Sequence, residues 1–215
     1  MFFDCQADEK IIEESTILYH FIAASSKLKQ YIYKNKIVLA YAPLGGPAAG
    51  GLMEELIALG IKRVIACGSA GAIKDFDQSK ILIVNKAIRD EGLSYHYLKP
   101  STYVSSDEAL IEDIKKQFKQ MNIHYLQGIT WTTDAFFRET KSRMNKRIFQ
   151  GAIAVEMENA SMAAVAKYRN IHFAQVLYFS DVIHNDKWSG FQINRKQIKE
   201  MVQKVMIELV MNIIG

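Results

Sequence analysis

The segment AIAVEMENAS (152–161) runs from an apolar stretch straight into two carboxylates, Glu156 and Glu158, with Met157 between them. A carboxylate can accept hydrogen bonds from two neighbouring hydroxyls, as on a ribose ring, and a methionine beside it offers a soft surface to the sugar. The same acids also suit a helix N-terminus, where the dipole favours negative charge, so both readings stand. Asp181 follows Phe179 and Ser180 at the end of another apolar run. Partly desolvated, it can serve as a general acid, or it can be an N-cap or loop aspartate.

GSAGA (68–72) offers a third site of this kind. Gly68 and Gly71 permit a tight turn, and Ser69 can present a hydroxyl and amides to an anion or a sugar oxygen. A plain strand-exit turn fits as well, and the spacing is neither a dinucleotide fingerprint nor an NTPase phosphate loop. In TTDAFFRET, Phe136 and Phe137 can stack on a planar base or pack in a core. Arg89 and Arg138 are anion or base ligands, or ordinary ion-pair partners. His96, among polar residues in RDEGLSYHYL, is a ligand contact or a surface histidine.

These residues need elements to hold them. KIVLAYA (36–42), RVIAC (63–67), ILIV (81–84), IHYLQGITWTT (123–133), AIAV (152–155) and HFAQVLYF (172–179) read as strands, most of them nearly all apolar. After the first, PLGGPAAGG reads as a glycine-rich turn and LMEELIAL as a helix stopped by Gly60. SSDEALIEDIKKQFKQ reads as an amphipathic helix with Ser105 and Glu108 at capping-box spacing. NASMAAVAKY is a helix of small residues, and a last helix, capped by Asn194, runs to about Ile213 with Ile198, Val202, Val205 and Leu209 on one face. The first 35 residues show a helical pattern and no clear opening strand. Strands alternating with helices imply an α/β fold, a sheet covered on both faces. In such sheets ligands bind beyond the carboxyl ends of the strands, where GSAGA, EME and SD all fall.

At 215 residues one domain, 1–215, is expected. The apolar share of 49% suits a globular chain. No run is long enough for a membrane span, no secretory signal is evident, and Cys5 and Cys67 lack metal-ligand spacing. A reducing, cytoplasmic setting is expected. The net charge of +4 is scattered; its densest cluster, KSRMNKR (141–147), lacks interleaved aromatics and reads as a solvated helix or loop rather than a nucleic-acid patch.

Together these motifs, from about Lys36 to about Ile183, resemble the nucleoside phosphorylase superfamily: purine nucleoside and uridine phosphorylases, and the methylthioadenosine/S-adenosylhomocysteine nucleosidases. IVLAYAPLGGPAAGGLMEELIALGIKRVIACGSAGAI resembles the family's strand–turn–helix–strand block, AVEMENASMAAVA its ribose signature and FSD its purine-associated acid. RDEGLSYHYLKPS and WTTDAFFRET look closest to a less characterised bacterial subgroup. The resemblance implies a three-layer α/β/α domain with a mixed central sheet. It implies Glu158 on the ribose hydroxyls, Met157 under the sugar, Glu156 nearby and Phe136 or Phe137 against the base. Asp181, assisted by Ser180, would protonate a purine at N7, and Ser69 with the Gly68 backbone would face the nucleophile. It also implies no metal or organic cofactor, phosphate as co-substrate, a small-molecule nucleoside as ligand, no nucleic acid or membrane partner, and a homo-oligomer, dimer or hexamer.

Two features depart from the phosphorylase pattern. The first 35 residues lack the glycine-aspartate-proline…arginine loop, and Ala66 stands where an arginine precedes the GS turn. Each charge-assisted contact to phosphate is typically worth about 1.5–3 kcal/mol. Arg89, Arg138 or a residue of a neighbouring subunit would have to replace them. The expectation is therefore phosphorolysis of a nucleoside, purine preferred, with hydrolysis or nucleoside binding without turnover as alternatives.

Overall fold

The structure, a computed structural model, describes residues 2–3, 9–23, 26–74, 81–184, 187–190 and 195–214, with side chains placed for 11–22, 28–74, 81–179 and 199–214. Strand β1 (Phe2–Phe3) and helix α1 (Glu9–Glu13) open it, followed by the antiparallel pair β2 (Ser15–Ala23) and β3 (Ser26–Tyr33). The opening strand missing from the sequence reading is thus β1. Two phenylalanines carry too little periodicity to announce a strand, yet they pair in parallel with both β4 (Ile37–Tyr41) and β5 (Arg63–Ala72).

Between β4 and β5 lies α2 (Gly46–Ala58). It begins six residues earlier than the pattern LMEELIAL suggests, inside the glycine-rich stretch. Pro47 suits the first helical turn, and the glycines serve close packing. A Cβ on Gly50 would meet the Leu93 side chain, and one on Gly46 the Ser161 side chain. Gly60, at φ +98°, ends the segment as expected.

Next come β6 (Ile81–Asp90), the short α3 (Ser94–Tyr97), β7 (Tyr103–Ser105) and α4 (Glu108–Gln120). Asp107, not Ser105, caps α4, accepting from the Leu110 N–H at 2.8 Å; Ser105 is the last residue of β7. Then follow β8 (Leu126–Thr133), the 3-10 turn Phe136–Arg138, α5 (Lys141–Phe149), β9 (Ala152–Glu156) and α6 (Asn159–Arg169). The basic cluster 141–147 is therefore helical, and Arg143 and Arg147 both pair with Asp90. The chain closes with β10 (His172–His184), β11 (Lys187–Gly190) and α7 (Arg195–Ile214). Asn194 and the Ile198 side chain lie outside the described residues.

The strands form one mixed sheet. α2 and α6 pack on one face through Leu52, Met53, Ala163 and Val165. α4 and α7 pack on the other through Ile114, Phe118, Met206 and Leu209. This is the expected α/β/α layering, with one elaboration: β10 pairs with β5 and β6, β6 with β8, β8 with β9, and β9 returns to β5. Five strands thus close a ring, filled by Ala70, Leu82, Val84, Ala154, Leu177 and Phe179.

The ring explains why β5 and β10 are longer than their apolar runs. β5 continues through GSAGA, and β10 through FSD, as paired strand. One edge of β5 pairs with β10 along its whole length. Its other edge takes β1 at Ala66 and Cys67, and β9 at Gly71 and Ala72. The sheet forks there.

Candidate active site

A cavity of about 480 Å³ opens at that fork, a size typical of small-molecule sites. Residues 66–71 of β5 line it, together with the chain leaving β4 at residues 41–44. The β9–α6 junction contributes Glu156, Met157 and Glu158; the turn after β8 contributes Phe136 and Glu139. GSAGA is therefore extended chain whose small side chains leave room for the cavity, rather than a turn.

The two acids of EME play different parts. Glu156 is 5% exposed, and its carboxylate is occupied by the protein. Oε2 accepts from the backbone N–H groups of Glu158 (2.8 Å) and Asn159 (2.6 Å), and Oε1 from the hydroxyls of Thr132 and Thr130. It thereby holds the first turn of α6 against β8. Burial raises its pKa to about 8, the charge of Glu158 pushes the same way, and the donated hydrogen bonds pull against them. Glu158 is the N-terminal boundary residue of α6 but makes no side-chain cap; its Oε1 instead accepts from the Gly45 N–H at 2.6 Å. Gly45 sits at φ +88°, a conformation that favours glycine.

The other expected residues divide cleanly. Gly68, Ser69, Met157 and Phe136 line the cavity with Glu156 and Glu158. Phe136 is 45% exposed; Phe137, 89% exposed, packs on it at 4.2 Å between ring centres and is not on the cavity wall. Arg138, in the same turn, is exposed and also off the wall. Arg89 corrects the sequence reading: it is 4% exposed and bound into its own loop. Its guanidinium donates to Ser94 Oγ, Ser101 Oγ and the carbonyls of Lys99 and Leu98, and it lies over the Tyr95 ring. A guanidinium so fully bonded locally does not reach a ligand in the cavity. His96 is exposed on α3, away from the cavity.

Ser180 and Asp181 lie on β10, and their side chains are outside the described residues. Their backbone is placed: a bulge between Phe179 and Asp181 sets Ser180 out of register, and Asp181 pairs opposite Gly71, a residue of the cavity wall.

Sequence reasoning missed residues 41–44, Glu139, Met162 and Gln175, all on the wall. Glu139 stood within the DAFFRET segment, one residue past the aromatics and arginine that drew attention. Burial raises its pKa to about 7. Gln175 accepts from Asn159 Nδ2 at 2.6 Å, tying β10 to the start of α6. Nothing in an apolar strand marks one glutamine as facing a cavity. Among the described residues no group of three His, Cys, Asp or Glu could hold a metal ion, and no helix is long and apolar enough to cross a membrane.

Known proteins share this architecture. The chain is 25% identical over 175 residues to the DeoD-type purine nucleoside phosphorylase of Buchnera aphidicola subsp. Acyrthosiphon pisum (strain Tuc7), covering 80% of this chain and 75% of that protein. It superposes on the native futalosine hydrolase of Helicobacter pylori strain 26695 with a TM-score of 0.77, at 21% identity and 98% and 96% coverage of the two chains. It superposes on the purine nucleoside phosphorylase of Toxoplasma gondii in complex with immucillin-H with a TM-score of 0.76, at 19% identity, covering 92% and 81%. The sequence match extends well beyond the cavity, for the model of one family spans residues 9–214, and by it the chain belongs to the phosphorylase superfamily, whose members cleave nucleosides.

Proposed function

We propose that the protein cleaves the N-glycosidic bond of a nucleoside, a purine nucleoside by preference, and that water is the acceptor. Glu158 holds the ribose hydroxyls, Met157 packs under the sugar and Phe136 lies against the base. Breaking the bond builds positive charge on the sugar and negative charge on the base. The Glu158 carboxylate on the wall favours the first, and an acid at the base favours the second. Asp181, whose backbone adjoins the wall at Gly71, is that acid, with Ser180 beside it.

The observation that carries the choice of acceptor is that the described residues of the wall include no basic side chain. The ionisable acids lining the cavity among the described residues are Glu139, Glu156 and Glu158, and burial favours the neutral form of the first two. A phosphate dianion there would lie beside the Glu158 carboxylate with no guanidinium on the wall, since Arg89 is engaged in its own loop and Arg138 stands off the wall. Water carries no such cost. Phosphorolysis is the second reading, supported by the purine nucleoside phosphorylases among the relatives. Cytoplasmic location and assembly as a homo-oligomer belong to the same proposal.

The deciding experiment incubates the purified protein with a panel of nucleosides, with and without phosphate, and separates the products. Free base with free pentose, at a rate indifferent to phosphate, is the expected result. Pentose 1-phosphate formed only with phosphate would replace hydrolysis by phosphorolysis. No cleavage by a protein that still binds nucleosides would leave a binding protein.

A further inference from the structure

Glu139 has no part in the chemistry so far, yet its carboxyl is the polar group the fold leaves least satisfied at the cavity. It follows the 3-10 turn Phe136–Arg138, and its N–H donates to the Phe136 carbonyl at 3.3 Å, so the two residues are held on one short turn. Both line the cavity. The residue as a whole is half-buried, but its Oε2 is closed off from solvent and, among the described residues, has no hydrogen-bond partner. A buried polar atom without a partner costs folding free energy, and native proteins rarely keep one without a use. Burial also keeps this carboxyl easily protonated near neutral pH, with a pKa of about 7. It can then both accept and donate. The half-exposed ring of Phe136 offers a flat apolar face beside it. A ring face and an unpaired carboxyl on one turn match a planar heterocycle, the first its face and the second its edge.

Resting on the nucleoside reading above, we propose that Glu139 is a specificity residue that reads the edge of the base, selecting bases that carry an exocyclic amine or a ring amide. A turn of the carboxyl about its last side-chain bond brings the oxygen that the chain leaves unpaired to the cavity, where the N–H of such a group satisfies it. A base without one leaves it unpaired, and sites built around a polar contact reject ligands lacking it strongly.

The test uses free bases, so that it does not depend on turnover. Adenine, hypoxanthine and unsubstituted purine are titrated calorimetrically into the wild type, Glu139→Met and Glu139→Gln. Wild type should bind adenine or hypoxanthine at least about 10-fold more tightly than purine. Glu139→Met should bring that ratio to about 1 while leaving purine affinity in place, and Glu139→Gln, which keeps a carbonyl acceptor, should recover part of it. Because the methionine removes an unpaired buried group, the melting temperature of the unliganded variant should not fall. An unchanged ratio in Glu139→Met would overturn the proposal and leave the nucleoside reading standing. Equal weakening of all three bases would also overturn it, assigning Glu139 to the shape of the site. Unchanged base binding with a uniform loss of cleavage rate would overturn it in favour of a role in activating water. Failure of the wild type to bind any base would sink the nucleoside reading and this inference together.

Discussion

The backbone N–H of Gly45 donates to Oε1 of Glu158 at 2.6 Å, across 113 positions of sequence. This bond ties the loop after β4 to the start of α6 and orients the carboxylate assigned to the ribose. Gly45 has no neighbour within 4 Å of where a Cβ would stand, but its φ of +88° and ψ of 148° fall where L-residues are strained. Gly45→Ala should therefore cost about 1–3 kcal/mol through backbone strain alone. Relief of that strain turns the N–H away from Glu158, so KM for a nucleoside should rise more than kcat falls. Urea unfolding and steady-state kinetics check both parts; wild-type stability in the variant would remove the strain argument.

Glu158→Gln tests the carboxylate itself. Glutamine keeps a carbonyl oxygen for the Gly45 N–H, so the loop should stay in place while the charge is lost. Hydrogen bonds to charged groups are worth about 1.5–3 kcal/mol against about 0.5–1.5 for neutral ones. Nucleoside affinity should fall about 10-fold, and a 2′,3′-dideoxynucleoside should show no such difference between the two proteins. Equal affinity of wild type and variant for the ribonucleoside would take the sugar away from Glu158.

The layers of this fold were legible because β6, β10 and α6 carry mostly apolar or small-residue runs, which a sheet covered on both faces requires. Residues whose placement depends on distant pairing were not. Phe2 and Phe3 form a strand only because Ala40, Tyr41, Ala66 and Cys67 supply two edges for them. GSAGA reads locally as a turn, and only its pairing with β10 and β9 keeps it extended. In the site, the EME acids stood out because charge rarely follows a buried strand. Their division of labour was invisible, since it rests on Thr130, Thr132 and Gly45, each far away in the chain. Arg89 misled for the complementary reason. An arginine after an apolar run looks available until α3 and the chain that follows it, residues 94–101, supply its acceptors.

Asp181→Asn probes the proposed proton donor. Asparagine preserves size but cannot deliver a proton to a leaving base, and general acid catalysis typically contributes about 10²–10⁴-fold. Turnover should fall within that range for a purine nucleoside whose base leaves poorly, and far less for a nucleoside with an acidic, activated leaving group. Binding should change little. Comparable losses on both substrates would mean that Asp181 acts through position or stability instead of proton transfer.

Stability should fall as the pH rises through neutrality, because two cavity acids hold their protons more tightly folded than unfolded. Unfolded, Glu139 and Glu156 titrate near 4.5; folded, burial moves them to about 7 and about 8. Between those limits the native state binds more protons, so its stability is full below about pH 4.5, declines up to about pH 8 and then levels. Asp90 and Asp107, held below 3.8 in the folded protein, give the opposite slope, but only in acid and outside this window. Glu156→Gln should flatten the larger part of the decline. Its carbonyl can accept from the N–H groups of Glu158 and Asn159, while its amide donates to the Thr130 and Thr132 hydroxyls that now donate to the carboxylate. Urea midpoints at pH 5, 7 and 9 for both proteins measure this directly. A wild-type midpoint that stays level or rises across that range would show that Glu156 is ionised throughout, its four hydrogen bonds outweighing its burial.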